Sequence, residues 1–223
     1  MRNLCLFDLD HTLLPIDSDH AWGEFMLREG WVDGVDFGLR NDAFYAQYQA
    51  GTLDIHEYIE FSTRPWRHKP PEELRSAHAK FMREVIRPVL RPAALDLVRQ
   101  HLEKGDLTAI VTATNDFITA PIAEAFGVAH LLALRLEKGP TGNITGRIDG
   151  VPSFREGKTL RTEQWLADLG HRLKDFERIS VYSDSTNDLP LMECATDAVA
   201  TNPSPSLEMT ARARGWRILQ LFS

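Results

Sequence analysis

Two hydrophobic patterns divide the chain: short unbroken apolar runs, and apolar residues at helical spacing. Leu4-Cys5-Leu6-Phe7 is an unbroken run of the kind a strand buried on both faces requires. Pro15 then interrupts, and the spacing turns helical. Trp22, Phe25 and Met26 fall at i, i+3 and i+4 before Gly30; Phe44, Tyr45 and Tyr48 predict a second helix, and Ile55, Tyr58 and Ile59 a third. Pro70-Pro71 followed by Glu72-Glu73 opens a fourth, carrying Leu74, Phe81 and Val85 until Pro88 stops it. No part of 16–88 reads as a strand.

From Pro92 the elements alternate. A helix bearing Leu95, Val98 and Leu102 ends at Gly105, and the strand Leu107–Val111 follows. Ile118, Ile122 and Phe126 mark the next helix, Leu131–Leu136 the next strand, and the Gly-rich 139–150 a hairpin or flap. A helix over 157–169, the strand Ile179–Tyr182, a helix near 188–194, the strand Ala198–Ala200, a helix from about 205 and a strand at Trp216–Leu221 complete the series. Short apolar strands alternating with helices predict an α/β protein, a doubly wound parallel sheet with an inserted all-helical block. Sites in such sheets lie beyond the C-terminal ends of the strands.

Composition narrows the function. The 223 residues suffice for a full core, and 43% hydrophobic with 26% charged residues is a globular balance. A formal net charge of -7 gives no basic footprint for nucleic acid. No apolar run reaches membrane-spanning length, and the early first strand leaves no room for a signal peptide, so a soluble, cytoplasmic protein is expected. Cys5 and Cys194 read as buried thiols, not as a disulfide framework.

The strand ends hold the chemistry. Asp8 and Asp10 follow the first strand; Thr112, Thr114 and Asn115 follow the second; Asp184, Asn187 and Asp188 follow Ile179–Tyr182; and Gly157-Lys158-Thr159 opens a helix. Two like charges one residue apart are costly unless a cation, a proton or hydrogen bonds offset them. A helix N-cap explains one Asp more easily than two. Four carboxylates with one Lys suit a hard divalent cation such as Mg²⁺. The eight His include no i, i+4 pair, which argues against zinc. A P-loop would need Gly where Pro152 stands.

In this order the motifs resemble those of the haloacid dehalogenase superfamily, in the branch that contains phosphoserine phosphatase. Asp8-Leu9-Asp10-His11-Thr12 matches DxDx[TV], Thr112 the hydroxyl at a strand end, Lys158 the helix-opening lysine, and Ser183-Asp184-Ser185-Thr186-Asn187-Asp188 the acidic motif that this branch writes GDGxND. The resemblance spans residues 3–201 and implies a core from 1–15 and 89–223 with 16–88 as a helical cap. It implies a Mg²⁺-dependent phosphatase for a small phosphorylated metabolite. Asp8 would be the nucleophile, Asp10 the acid and base, and Thr112 and Lys158 the phosphate donors. The metal would rest on Asp8, Asp10 and Asp184, with Asp188 close by and Asn187 near the phosphate.

The sequence also departs from phosphoserine phosphatase. Thr112-Ala113-Thr114 replaces Ser-Gly-Gly, Ser183 and Ser185 replace two glycines, and Asp17 stands where that enzyme's cap carries Glu. Asp17, Ser18 and Asp19 are candidates to face the substrate, or alternatively to cap the helix behind them. Arg64, in the basic run Arg64-Pro65-Trp66-Arg67-His68-Lys69, is a candidate for an anionic substrate group, or part of a solvated loop. Phosphoserine, histidinol phosphate and other small amine-bearing phosphates all fit. The rivals are a phosphomutase of the same superfamily and a receiver-like signalling domain; a receiver would not carry a helical insertion after its first acidic pair.

Overall fold

A computed structural model describes residues 3–222. The chain opens with β1 (Leu4–Phe7), all four side chains buried. Four helices follow it: α1 (Ser18–Arg28), α2 (Gly34–Ala50), α3 (Ile55–Thr63) and α4 (Pro71–Phe81). Next come α5 (Pro92–Glu103), β2 (Leu107–Asn115), α6 (Asp116–Ala125), β3 (His130–Leu134), β4 (Leu136–Lys138) and β5 (Ile144–Ile148). The series ends with α7 (Glu156–Asp168), β6 (Ile179–Ser183), α8 (Leu189–Met192), β7 (Asp197–Thr201), α9 (Pro205–Arg214) and β8 (Arg217–Leu219).

Six strands form one parallel sheet in the order β3-β2-β1-β6-β7-β8. The first strand in sequence therefore lies inside the sheet, which explains its uninterrupted apolar run. Phe7 is in register with Ile110 on one side and Tyr182 on the other. β1 and β6 thus end within one residue of each other, while β2 runs past the expected Val111 to Asn115 and carries Thr112 and Thr114 within it; the order turns back at β1, where a doubly wound sheet opens a crevice. The two faces bury separate clusters. One, with Leu6, Val111 and Val181, packs beneath α7 and α9 through Leu166 and Leu207. The other, with Phe7 and Ile110, is continuous with Trp22, Phe25, Phe44, Ile59 and Phe81 of the inserted helices.

Local signals set the helix ends. Asp17 caps α1 by accepting from the His20 N–H, and Asp54 caps α3 by accepting from His56 and Glu57. Gly51 ends α2 in the left-handed region, φ 68°, where a side chain would be strained. Several boundaries differ from the sequence reading. The expected strand 131–136 divides, because β4 leaves the main sheet and pairs antiparallel with β5, making the Gly-rich stretch a hairpin. The helix expected to run to Pro88 is α-helical only to Phe81, then widens to a π-turn over Met82–Ile86 and tightens over Arg87–Val89. The strand expected at 216–221 keeps only Arg217–Leu219, because the Asn202 side chain takes the N–H groups of Leu221 and Phe222. Both cysteines are free thiols, Cys5 buried. Among the described residues no helix is long and apolar enough to cross a membrane.

Candidate active site

The segments after β1 and β6 bring four acidic side chains to one edge of the sheet, two of them on a single ammonium group. Lys158, in the first turn of α7, is 2% exposed, and its Nζ donates to Asp8 Oδ1 and Asp188 Oδ2, each at 2.8 Å. Gly157 lets α7 start this close: a Cβ there would overlap the Pro152 carbonyl. Burial opposes the charge on Lys158, but Asp188 and Asp8 outweigh it and push its pKa above the usual lysine value. Ser183 donates to Asp188 Oδ2 at 2.7 Å. Asp188 stands just before α8 without capping it, so its carboxylate serves Lys158 instead of the helix.

Thr12 joins the first motif to the last. Its hydroxyl lies 2.8 Å from Asp8 Oδ2 and 3.2 Å from Asp184 Oδ1, and it accepts from the Asp184 N–H at 3.1 Å. Asp184 is pushed well above the ordinary carboxylate range by burial, then by the charges of Asp8 and Asp188. One lysine does not balance this group.

Asp10 faces a different neighbourhood. Its Oδ1 accepts from the Ser18 N–H at 2.7 Å and its Oδ2 from the Thr114 hydroxyl at 2.8 Å. Burial first, and Asp17 second, push its pKa up to about 8. A carboxyl so placed carries a proton near neutrality and can both give and take one. Thr112 is 1% exposed; its oxygen accepts from the Thr114 N–H at 3.1 Å, and its own proton has no acceptor among the described residues.

A pocket opens from Asp10 into the inserted helices, enclosing about 420 Å³ of empty space with its mouth. Asp17 at the cap of α1, Asp19 in its first turn, Asn41, Phe44 and Tyr45 from α2 and Tyr58 from α3 are among its walls. Burial raises the carboxyl pKa of Asp17, and that of Asp19 well above its ordinary value, with Asp17 and Asp10 adding to the latter. The sequence candidates therefore separate. Asp17 and Asp19 line the pocket, and Ser18 reaches Asp10 through its backbone. Asn187 donates from Nδ2 to the Tyr48 carbonyl at 3.3 Å, tying the β6 loop to the inserted helices. Arg64 is exposed at the end of α3 and does not line the pocket. Its basic segment is held by local partners: Arg67 pairs with Glu60, Lys69 with Glu73, and Trp66 stacks on Phe117.

Several participants carry weaker sequence signals. Thr114 shares a strand face with Thr112 at i+2, a signal that was available. Thr12, four residues after Asp8, was visible only as part of the motif. His11 adopts φ 57°, and its Nε2 shares a 2.8 Å hydrogen bond with the Tyr45 hydroxyl of α2. No pattern in the sequence links those two residues.

The sheet order, the buried acidic cluster and its lysine agree with the family that the motifs resemble. The family model described as haloacid dehalogenase-like hydrolase matches residues 5–193, and the chain belongs to that family. It is similar to a histidinol-phosphatase of Neisseria meningitidis, 41% identical over 98% of this chain and 99% of that one. A probable phosphatase of Mycobacterium tuberculosis is 31% identical, over 98% of this chain and 75% of its own. A crystal structure from Bordetella pertussis, of a protein described as having unknown function, covers both chains fully at 51% identity with a TM-score of 0.94. A substrate-bound phosphoserine phosphatase has the same fold, with a TM-score of 0.68 at 18% identity over 98% of this chain and 93% of that one. The chain is a phosphatase.

Proposed function

We propose that this phosphatase hydrolyses a small phosphomonoester through a phosphoryl group carried on Asp8, with helices 16–88 as a cap that supplies the leaving-group pocket. The observation that carries the reading is the division of labour between two neighbouring carboxylates. Asp8 is fixed by Lys158 and Thr12 at the closed end of the site, while Asp10, its pKa near 8, faces the pocket.

In the first step Asp8 attacks phosphorus, the ester P–O bond breaks, and Asp10 gives its proton to the departing alkoxide. In the second, Asp10 takes a proton from water as that water attacks phosphorus. Asp8 is released and inorganic phosphate leaves. Lys158 and the uncommitted proton of Thr112 are suited to the phosphate oxygens, where charge builds in the transition state. Asp188 and Ser183 keep Lys158 in place.

The donor set fits Mg²⁺. Asp8 and Asp184 present hard oxygens on either side of Thr12, and the crowding that raises Asp184 is what a divalent cation would relieve. Asp8, Asp184 and the Asp10 main-chain carbonyl would hold it. When bound, the cation supplies charge neutralisation between the nucleophile and the incoming phosphate.

The full-length similarity to a histidinol-phosphatase makes histidinol phosphate the first substrate to test. Purified protein with Mg²⁺ should release inorganic phosphate and histidinol in equal amounts. An isomeric phosphate without free phosphate would establish a mutase instead.

A further inference from the structure

Two tyrosines of α2, Tyr45 and Tyr48, stand between two openings of the site. Both line the pocket that starts at Asp10, and both line a second cleft beside Asp184 that Ser185, Thr186 and Ser204 help to wall. Asp8 is joined to Asp184 through Thr12 and lies two residues from Asp10, so a side chain lining both openings stands over the nucleophile. The two hydroxyls are not equivalent. That of Tyr45 is engaged by His11 Nε2 at 2.8 Å. Tyr48 is bonded through its main chain, and its hydroxyl has no hydrogen-bond partner among the described residues. Burial, then the charges of Asp8, Asp188 and Asp184, raise the pKa of that hydroxyl well above the usual tyrosine value. It keeps its proton and offers it as a donor.

The place of Tyr48 is set from the sheet side. The last carbonyl groups of a helix lack partners within it, and two side chains meet those of α2. Asn187 Nδ2 donates to the Tyr48 carbonyl at 3.3 Å, and Arg155 Nη2 donates to the Gly51 carbonyl. A guanidinium there also meets the negative end of the helix dipole. A Cβ at Gly51 would lie 3.2 Å from Arg155 Nη2 and 3.6 Å from Asn187 Oδ1, so both side chains converge on this turn. Arg155 itself adopts φ 51° with ψ -124°, a conformation that a side chain rarely takes, three residues before Lys158. Strain of this kind persists where the surroundings fix it, and it gathers at functional sites. The guanidinium lies 4.9 Å from the centroid of the Phe154 ring, and that ring lies 6.1 Å from the ring of Tyr48.

Among the described residues lining the two openings there is no Lys or Arg. Lys158 and Thr112 approach the phosphoryl group from the sheet side, and the inserted helices bring no cation to its other side. A phosphoryl oxygen turned toward α2 needs a neutral donor, and an uncommitted tyrosine hydroxyl is one. We infer that Tyr48 is a catalytic residue, donating from its hydroxyl to the phosphoryl oxygen that faces the inserted helices, and that Arg155 is the positioning residue that seats it. This rests on the phosphatase reading above and adds two residues to it. The donor set around phosphorus is complete once α2 is seated on Arg155 and Asn187.

The test uses the full-length protein with Mg²⁺, p-nitrophenyl phosphate and histidinol phosphate as substrates, and orthovanadate and inorganic phosphate as inhibitors. Orthovanadate takes the five-coordinate geometry of the transition state, whereas phosphate resembles the ground state. Tyr48→Phe should lower kcat about 10- to 100-fold on both esters alike, the value of one hydrogen bond to a charged group. It should weaken orthovanadate by a similar factor and inorganic phosphate by less. Arg155→Met should also lower kcat, and it should cost less in the Tyr48→Phe background than in the unmodified protein, because the two residues act as one unit. Orthovanadate inhibition unchanged in Tyr48→Phe overturns the inference by assigning Tyr48 to packing. A loss on histidinol phosphate without one on p-nitrophenyl phosphate overturns it by assigning the hydroxyl to the leaving group. Additive losses in the double variant overturn the role of Arg155; if no Arg155 variant folds, Tyr48→Phe decides alone. An unmodified protein that hydrolyses neither ester overturns the phosphatase reading, and the inference with it.

Discussion

Lys158 Nζ lies 2.8 Å from Asp8 Oδ1, joining two residues 150 positions apart in the chain. With Asp188 it forms a buried pair of acids on one base, and this arrangement is both structural and chemical. Lys158→Met keeps the length of the side chain and removes its charge. Activity on any phosphomonoester should fall by about 10²- to 10³-fold, as when one transition-state donor is lost. Urea unfolding at pH 8 should show a destabilisation of about 3–5 kcal/mol, because two buried carboxylates lose their partner. A variant as stable as the unmodified protein would mean that the ion pairs are solvated.

Thr114 offers a finer probe of Asp10. Thr114→Val removes the 2.8 Å hydrogen bond to Asp10 Oδ2 and leaves the shape nearly unchanged. A hydrogen bond to a carboxylate of this kind contributes about 1 kcal/mol, so kcat on an alkyl phosphate should fall roughly fivefold or more. The loss should be smaller on p-nitrophenyl phosphate, whose leaving group needs less protonation. Equal losses on both esters would assign Thr114 to the backbone of β2 instead of to Asp10.

The fold was legible where one local signal decided it. The apolar run before Asp8, the helical spacing of 16–88 and the alternation after Pro92 each follow from side-chain period, and together they give the sheet and its insertion. The acidic motifs were legible because they sit at strand ends, and register then brings them together. Contacts made across the insertion were not. Tyr58 and Tyr45 lie on helices whose spacing reads as core packing, and only their meeting with Asp10, Asp17 and Asp19 makes a pocket. Arg64 stayed open between a substrate contact and a solvated loop for the same reason: a basic run marks charge, while the side the loop faces is set by Trp66 stacking on Phe117. The division of strand 131–136 was hidden because leucines suit both halves equally.

Stability should carry the imprint of the pocket's acids. Asp19 has a raised pKa in the folded protein, so the native state holds its proton to higher pH than the unfolded chain does. Its contribution is present below the unfolded carboxylate value, near 4, and is lost as pH rises through the folded value. Asp19→Asn removes this term. Between pH 5 and pH 8, unfolding free energy measured in EDTA should therefore fall less steeply in the variant, by an amount on the order of 1 kcal/mol or more. Parallel profiles for the two proteins would place Asp19 in water.

Metal removal should be visible without turnover. Asp184 is crowded by Asp8 and Asp188, and a divalent cation that binds only the folded state stabilises it by mass action. EDTA should abolish activity, and Mg²⁺ should restore it and raise Tm. Ca²⁺ should raise Tm while supporting little turnover, since it accepts looser, higher coordination. Full activity after exhaustive dialysis into EDTA would rule out the proposed cation.

The division of roles between Asp8 and Asp10 is tested most directly by Asp10→Asn with p-nitrophenyl phosphate. This leaving group departs as a stabilised anion, so the first step should proceed without the Asp10 proton. Water activation in the second step loses its base, and that loss should slow it by about 10²- to 10⁴-fold. Acid-quenched protein should then carry one added phosphoryl group by mass spectrometry, labile to hydroxylamine and mapping to Asp8. A label on Thr112 or on a histidine, or none at all while substrate is consumed, would contradict the account.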